Sequence, residues 1–261
     1  MLLAIDVGNT QTHLGVFNKG DLIHEWRAST DARRTSDELA LLFGHFLSLA
    51  GLSFSSQVTG VAICSVVPRS TQQLREMTAR YFGFPAVVVE PGVKTGIAIV
   101  TDNPREVGAD RIANAVAAHH MYGPEPVVVV DLGTAITVDA VSAKGEYLGG
   151  AIAPGLDIAA AALFSATAKI TRVELVAPPT TIGKSTVTAV QSGLIFGTAG
   201  LIDGLVERVI EELGGDAHVV GTGGLASVVL EHSRTIEKIE PVLTLLGLRL
   251  IFERNAIDAA G

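Results

Sequence analysis

Two aspartates, Asp6 and Asp131, each end an apolar run, and each is followed two residues later by a glycine. Gly8 and Gly133 open polar turns whose backbone N–H groups can form a concave anion site, because a residue without a side chain lets a phosphate approach closely. Carboxylates beside such turns can hold the metal counter-ions of a polyphosphate. The residue types and their spacing therefore predict phosphate binding. They favour phosphoryl transfer, which depends mostly on positioning and charge neutralisation.

The two turns belong to a longer repeat. The segment DVGNTQTHLGVFNKGDL from Asp6 recurs, more loosely, as DLGTAITVDAVSAKGEY from Asp131. The offset is 125 residues (131 − 6) at the start and again at the Lys-Gly pair, so the segments align without a gap and Thr12 meets Thr137. A single Asp-x-Gly turn also fits a plain hairpin whose aspartate binds turn amides. Two turns in register predict that one polyphosphate is held from both sides.

Each repeat predicts a β-hairpin. An apolar strand ends at the aspartate, and a polar tip follows at Gly8-Asn9-Thr10 or Gly133-Thr134-Ala135. A second apolar strand then leads to a Lys-Gly turn, where glycine permits a positive φ. After the first hairpin, Thr35 and Glu38 predict a capping box for a helix that ends near Gly51.

Strands and helices alternate along the rest of the chain. Strands are predicted at VAICSVVP, PAVVVEPG and HVVGTGGLA, and helices at about 70–81, from Gly108, over LDIAAAALFSATAKI, over 186–213 and over 243–254. This alternation is typical of α/β layers. We expect two α/β domains, residues 1–115 and residues 116–261.

Composition limits the possible functions. The net charge of −8 argues against a nucleic-acid-binding or membrane-binding surface, so local cations must hold an anionic substrate. Cys64 is the only cysteine in the sequence, which excludes an internal disulfide, and its apolar neighbours predict a buried thiol. The uncharged run 185–202 contains glycines and hydroxyl side chains and is too polar to predict a membrane span. No basic leader precedes Asp6, so we expect a cytoplasmic protein without a signal peptide.

The motifs together resemble a known family. The Asp-x-Gly segments at Asp6 and Asp131 are similar to the phosphate motifs of the superfamily of acetate and sugar kinases, heat-shock chaperones and actin. Within it, GADR at 108–111, YLGGAIAPGL at 147–156 and IGKSTVTAVQSG at 182–193 resemble type III pantothenate kinases. The resemblance implies duplicated actin-like ATPase domains of α/β, ribonuclease H-like fold with a nucleotide cleft between them. It also implies ATP-dependent phosphorylation of pantothenate to 4′-phosphopantothenate, the first step of coenzyme A biosynthesis.

The resemblance implies a role for each matching residue. ATP contacts are implied for Asp6, Val7, Gly8, Asn9, Thr10, Gln11, Thr12, His13 and Thr134. Pantothenate contacts are implied for Gly108, Ala109, Asp110, Arg111 and Thr186. The catalytic base that accepts the proton of the pantothenate hydroxyl is implied to be Asp110. Asp131 is implied as a ligand of a monovalent cation, K⁺ or NH₄⁺, while Mg²⁺ arrives with ATP.

Some of these residues also have plainer interpretations. Asp110 fits a carboxylate that interacts with the dipole of a helix N-terminus, and Arg111 fits an ordinary ion pair. Thr186 or its neighbour Ser185 fits the N-cap of the helix that follows. The turn 221–224 resembles the glycine turn beside adenosine in the superfamily, but such turns after strands are common.

Two other functions are compatible with the same fold. One is a kinase or phosphatase with another small substrate, although repressor-related sugar kinases carry a zinc-binding Cys/His cluster that one cysteine cannot form. The other is a non-enzymatic regulator, although retention of Asp6, Asp110 and Asp131 argues against lost catalysis, and the acidic balance argues against direct DNA binding. The family resemblance also implies a homodimer, for which the Ala- and Gly-rich segments 156–170 and 186–213 are candidate interfaces.

Overall fold

Each repeat forms the first hairpin of its own β-sheet in the computed structural model, which describes residues 1–53, 57–167, 172–224 and 226–258. The chain divides into two units. Unit 1 comprises Met1–Ala98, Asp102–Ala117 and the last helix, which begins at Leu243; unit 2 comprises Ile99–Thr101 and Ala118–Val242. The sequence-based division after residue 115 placed that last helix in the second domain, whereas in the structure it packs within unit 1.

The two sheets repeat one topology. The strands are β1 (Leu2–Val7), β2 (Gln11–Asn18), β3 (Asp21–Ser29), β4 (Gly60–Ser65), β5 (Val87–Val88), β6 (Ala98–Ile99), β7 (Val127–Leu132), β8 (Ala135–Val141), β9 (Glu146–Pro154), β10 (His218–Thr222) and β11 (Lys238–Ile239). The orders are β3-β2-β1-β4-β5 and, with one additional edge strand, β6-β9-β8-β7-β10-β11. In each sheet a three-stranded antiparallel meander is followed by two strands parallel to its first strand. The predicted α/β class and the predicted duplication are confirmed.

The helices lie close to the predicted positions. They are α1 (Ser36–Leu49), α2 (Pro68–Tyr81), α3 (Ala109–Tyr122), α4 (Leu156–Ala166), α5 (Thr186–Leu213), α6 (Ala226–Val229) and α7 (Leu243–Asp258), with 3₁₀ turns at Pro104–Glu106 and Leu230–His232. The capping box of α1 is confirmed, since Glu38 N donates to Thr35 Oγ1 (3.3 Å) and Thr35 N donates to Glu38 Oε2 (2.8 Å). The helix predicted over 156–170 ends at Ala166, and residues 168–170 lie outside the described residues.

The unit 1 sheet is covered on both faces. Alternate apolar residues of β1 pack with α1 and α2 in one cluster. The opposite face lies under α7, where glycines give the helix room. A Cβ on Gly15 would lie 2.8 Å from Leu245 Cδ1, and Gly60 lies directly under the Phe252 ring. These close approaches explain why α7 belongs to unit 1.

α5 is the central helix of the unit 2 core. Ile195, Ile202 and Val206 are completely buried in the same cluster as the apolar residues of β7. Within the described part of the chain, α5 is the one helix long and apolar enough to cross a membrane, judged by length and composition. Half of its most apolar window is buried inside the protein, and Asp203 within it is buried and hydrogen-bonded. Both features are those of a core helix.

Candidate active site

The tip of the first hairpin is an exposed, braced turn. Gly8 N donates to Gln11 O (3.0 Å), which closes the turn between β1 and β2. Thr30 N, from the segment after β3, donates to Thr10 O (2.9 Å) and supports the tip from one side. Asn9 and Thr10 are exposed. The turn therefore has the fixed backbone and open surface that the phosphate-binding prediction requires.

In unit 1, Asp6 contacts a buried thiol. Asp6 on β1 is the register partner of Cys64 on β4, and Cys64 Sγ donates to Asp6 Oδ1 (3.1 Å). Burial raises the pKa of the Cys64 thiol well above its usual range, and the negative charges of Asp6 and Asp110 raise this pKa further. The thiol thus contacts Asp6 directly, and the charge of Asp110, 104 residues further along the chain (110 − 6), also affects it. The predicted burial of Cys64 is confirmed, but sequence reasoning missed its contact with Asp6.

Asp110 lies in the first turn of α3, and its side chain points back towards Gly108. Its Oδ1 accepts a hydrogen bond from Arg111 N (2.8 Å). A Cβ on Gly108 would lie 2.5 Å from the same oxygen, so the glycine makes room for the carboxylate. The glycine of the GADR motif is thus explained locally, by the space that the Asp110 carboxylate needs. This placement is compatible with both interpretations of Asp110, as a catalytic base and as a helix N-terminal acid.

Other residues of the first motif are buried inside unit 1. Val7 belongs to the core, and Thr12 Oγ1 lies 2.9 Å from Thr30 Oγ1. His13 Nε2 lies 2.8 Å from Glu25 Oε2. The pKa of His13 is lowered, mainly by burial and also by the charge of Arg27, although Glu25 opposes the shift. These side chains support the hairpin, whereas Asn9, Thr10 and Gln11 are exposed.

The second turn is similar but one residue shorter. Gly133 N donates to Ala135 O (3.1 Å), two residues on, whereas Gly8 bonds the residue three positions on. Asp6 pairs with His13 across the first hairpin, and Asp131 pairs with Thr137 across the second. Thr137 is therefore the structural counterpart of His13, whereas the 125-residue offset would have matched His13 to Val138. The gapless alignment, which matched Thr137 to Thr12, therefore differs from the structure between the tip and the Lys-Gly turn. The Lys-Gly turn of the second repeat is one residue longer than that of the first, so the 125-residue offset holds again in the strand after the turn.

Two glycines pack against the second turn. Gly155, the N-cap of α4, lies against the carbonyls of Gly133 and Thr134, so the N-terminus of α4 adjoins this turn. Gly223 has a φ of +104°, and a Cβ there would lie 2.7 Å from Asp131 Oδ1. The glycine turn after β10 therefore belongs to the surroundings of Asp131. Neither contact could be inferred from sequence spacing.

The predicted substrate residue Thr186 begins α5. Ser185, and not Thr186, is the N-cap: its Oγ accepts from Thr188 N (3.2 Å), and Thr188 Oγ1 accepts from Ser185 N (3.1 Å). Thr186 is exposed. Of the two N-cap alternatives the structure selects Ser185, so Thr186 is not needed for capping.

The described residues contain oxygen atoms that could bind a cation, but no preformed cluster of metal-ligating side chains. No group of three or more His, Cys, Asp or Glu side chains within them could hold a metal ion. Around the second turn, Asp131 Oδ1 and the Leu132 carbonyl oxygen both face Gly223. Carboxylate and carbonyl oxygens are ligands that hard cations prefer.

Comparisons with known proteins give one consistent answer. A family model described as type III pantothenate kinase matches residues 2–208. A protein of that name from Frankia alni is 54% identical over 256 residues, which cover 98% of this chain and 100% of that protein. Another of that name, from Streptomyces coelicolor, is 53% identical over 262 residues and covers 98% of both chains.

The fold also matches solved structures. The crystal structure of a ROK hexokinase from Thermus thermophilus has a TM-score of 0.54 at 15% sequence identity, over 98% of this chain and 99% of that one. At this identity the similarity concerns the fold alone. It confirms the predicted actin-like architecture of two related α/β domains.

Proposed function

The chain belongs to the type III pantothenate kinase family, and we propose that it transfers the γ-phosphoryl group of ATP to pantothenate, giving 4′-phosphopantothenate for coenzyme A biosynthesis. The observation that carries the proposal is the match to this family over nearly the whole chain. Within unit 1, the contact of Asp6 with Cys64 and the charge effect of Asp110 on the same thiol agree with it. A phosphate-binding turn and a carboxylate that orients the acceptor hydroxyl must lie close together for phosphoryl transfer.

We assign the acceptor chemistry to Asp110. As the pantothenate hydroxyl oxygen bonds to the γ-phosphorus and the bond to ADP breaks, Asp110 accepts the hydroxyl proton. Aspartate is a weak base, but in a loose transition state the proton leaves late, and the carboxylate mainly orients the hydroxyl. The hydrogen bond from Arg111 N fixes one carboxylate oxygen. The Arg111 guanidinium is suited to the pantothenate carboxylate, and we assign Thr186 to the same substrate.

We assign the phosphate contacts to the backbone of the two turns. In unit 1 the exposed tip Gly8-Asn9-Thr10 supplies N–H groups. In unit 2 the Gly133-Thr134 turn adjoins the N-terminus of α4, where the helix dipole favours negative charge. Mg²⁺ bound to ATP would neutralise phosphate charge, and we assign Asp6 to hold this ion through water, since Mg²⁺ usually keeps several of its waters.

A monovalent cation is assigned to Asp131. Its carboxylate and the Leu132 carbonyl oxygen both lie close to Gly223, and oxygen atoms of these two kinds are suitable ligands for a K⁺ or NH₄⁺ ion. We expect K⁺ to activate the enzyme relative to Na⁺, and Asp131→Ala to weaken this activation. Initial rates over a series of K⁺ concentrations at constant ionic strength measure it. Equal rates in K⁺ and Na⁺ would contradict the assignment.

We further propose a cytoplasmic homodimer. Apolar side chains are exposed on α4 and α5, including Ile158 (47%), Val187 (46%) and Leu201 (41%). Exposed apolar side chains on these two helices support association between copies of a chain. The molar mass measured by light scattering should be twice the 27.1 kDa of the chain. A concentration-independent mass of one chain would rule the dimer out.

The function itself is tested by one assay. Purified protein with Mg·ATP and pantothenate should form ADP and 4′-phosphopantothenate in equal amounts, detected by mass spectrometry. Glucose and other sugars serve as alternative acceptors in parallel reactions. ADP formation with a sugar but not with pantothenate would favour the alternative of a kinase with another small substrate.

A further inference from the structure

Cys64 is held against Asp6 by the sheet itself. β1 and β4 are parallel, and Asp6 and Cys64 are partners in their register, so the two side chains leave the same face of the sheet. The sulfur lies 3.1 Å from Asp6 Oδ1, and Cys64 has no exposed surface. Because both strands are central in the sheet, this contact depends on rigid elements and not on a loop.

The thiol is the hydrogen-bond donor in this contact. An ionised carboxylate can only accept hydrogen bonds, whereas S–H is a donor, although a weak one. The geometry agrees with this direction, since the sulfur lies within hydrogen-bond distance of Asp6 Oδ1 in a site without solvent access. On the other side of Asp6, the ring of its partner His13 is directed to Glu25.

We propose that Cys64 is a positioning residue whose S–H group holds the Asp6 carboxylate in the orientation that serves Mg·ATP. The inference rests on the role of Asp6 in ATP binding proposed above. A neutral donor is suited to this position, because a cation there would form an ion pair with the Asp6 carboxylate and an anion would repel it. The sequence motif alone gives Cys64 no such role.

Three substitutions separate hydrogen bonding from packing. Cys64→Ser keeps a donor, Cys64→Ala removes it and leaves a small cavity, and Cys64→Val removes it while filling the space. We expect Ala and Val to lower kcat/KM for ATP about three- to tenfold, the effect of losing one weak bond to a charged group. Ser should stay within about twofold of the wild type, and KM for pantothenate should not change in any variant.

The matched control is Ile63→Val, on the same strand but facing the opposite side of the sheet. Ile63 is completely buried in the unit 1 core, so this change should lower Tm slightly without changing kcat/KM for ATP. All rates are measured at a temperature where thermal melting shows every variant folded. If Ser loses as much activity as Ala, or if Val and Ala keep wild-type kcat/KM, Cys64 acts through packing alone and the inference is wrong.

Calorimetric binding of Mg·ATP separates this inference from the proposed function. The Kd for Mg·ATP should rise about three- to tenfold in the Ala and Val variants and remain near the wild-type value in the Ser variant. This readout does not require pantothenate turnover. A wild-type protein that binds ATP but does not phosphorylate pantothenate would refute the proposed kinase activity. The Kd values of the Cys64 variants would still test the positioning role of Cys64 in that case. Equal Kd values in all four proteins would refute the inference alone.

Discussion

Asp110→Asn should lower kcat for pantothenate phosphorylation by roughly 10²- to 10⁴-fold, the usual contribution of a positioned acid–base group. The amide cannot accept the hydroxyl proton, but its oxygen can still accept the hydrogen bond from Arg111 N, so α3 should keep its first turn. Binding of Mg·ATP should survive, because the assigned phosphate contacts are backbone groups of other turns. Steady-state kinetics together with calorimetric ATP binding measure both effects.

The control for this prediction is Asp37→Asn. Asp37 is also an acidic residue in the first turn of a helix, α1, where it is exposed and pairs with Arg80. If Asp110 acts only through the helix dipole, the two variants should lose similar, small amounts of stability and keep turnover. Loss of turnover in Asp110→Asn but not in Asp37→Asn identifies the carboxylate as a catalytic group. Normal turnover of Asp110→Asn would remove the proposed role.

Asp203→Ala should lower the free energy of unfolding by about 2–4 kcal/mol and Tm by roughly 5–15 °C. Asp203 is 2% exposed in the middle of α5 and binds the segment before β11. Its carboxylate accepts from Ser233 Oγ (2.6 Å), Arg234 N (3.0 Å) and Thr235 Oγ1 (3.0 Å). The substitution leaves these donors without their acceptor. Differential scanning calorimetry measures the loss.

Acid should reduce the difference between wild type and Asp203→Ala. Burial acts to raise the pKa of Asp203, but hydrogen bonds from Ser233, Arg234 and Thr235 outweigh it and hold this pKa below its usual value. The carboxylate therefore stabilises the fold above the unfolded-state pKa of about 3.9, and this stability is lost as pH falls through the folded-state pKa. A stability difference that stayed constant down to pH 2 would contradict this account.

The control is Glu207→Ala, one turn further along α5. Glu207 lies 3.5 Å from the same Arg234, but both side chains of this pair are more than half exposed. Surface ion pairs of this kind contribute at most about 1 kcal/mol. An equal loss of stability from both substitutions would mean that the buried hydrogen bonds of Asp203 contribute no more to the free energy of unfolding than an exposed ion pair does.

The sequence by itself determined the features that local chemistry controls. The tips after Asp6 and Asp131, the capping box of Thr35 and Glu38 and the long helix from Thr186 all follow from turn, cap and periodicity rules within a few residues. The duplication, visible in the matched aspartates, already predicted that each half begins with a hairpin. Family motifs then indicated the chemistry, because their residue types and order are specific in combination.

The tertiary structure alone decided which distant residues meet. Cys64 reaches Asp6 because β4 pairs with β1 in one register, and a shift of one residue would turn its thiol to the other face of the sheet. Gly223 reaches Asp131, and α7 reaches the first sheet, through contacts between segments far apart in sequence. Sequence patterns describe the faces and ends of elements, whereas strand pairing and side-chain packing determine which of those faces and ends come together.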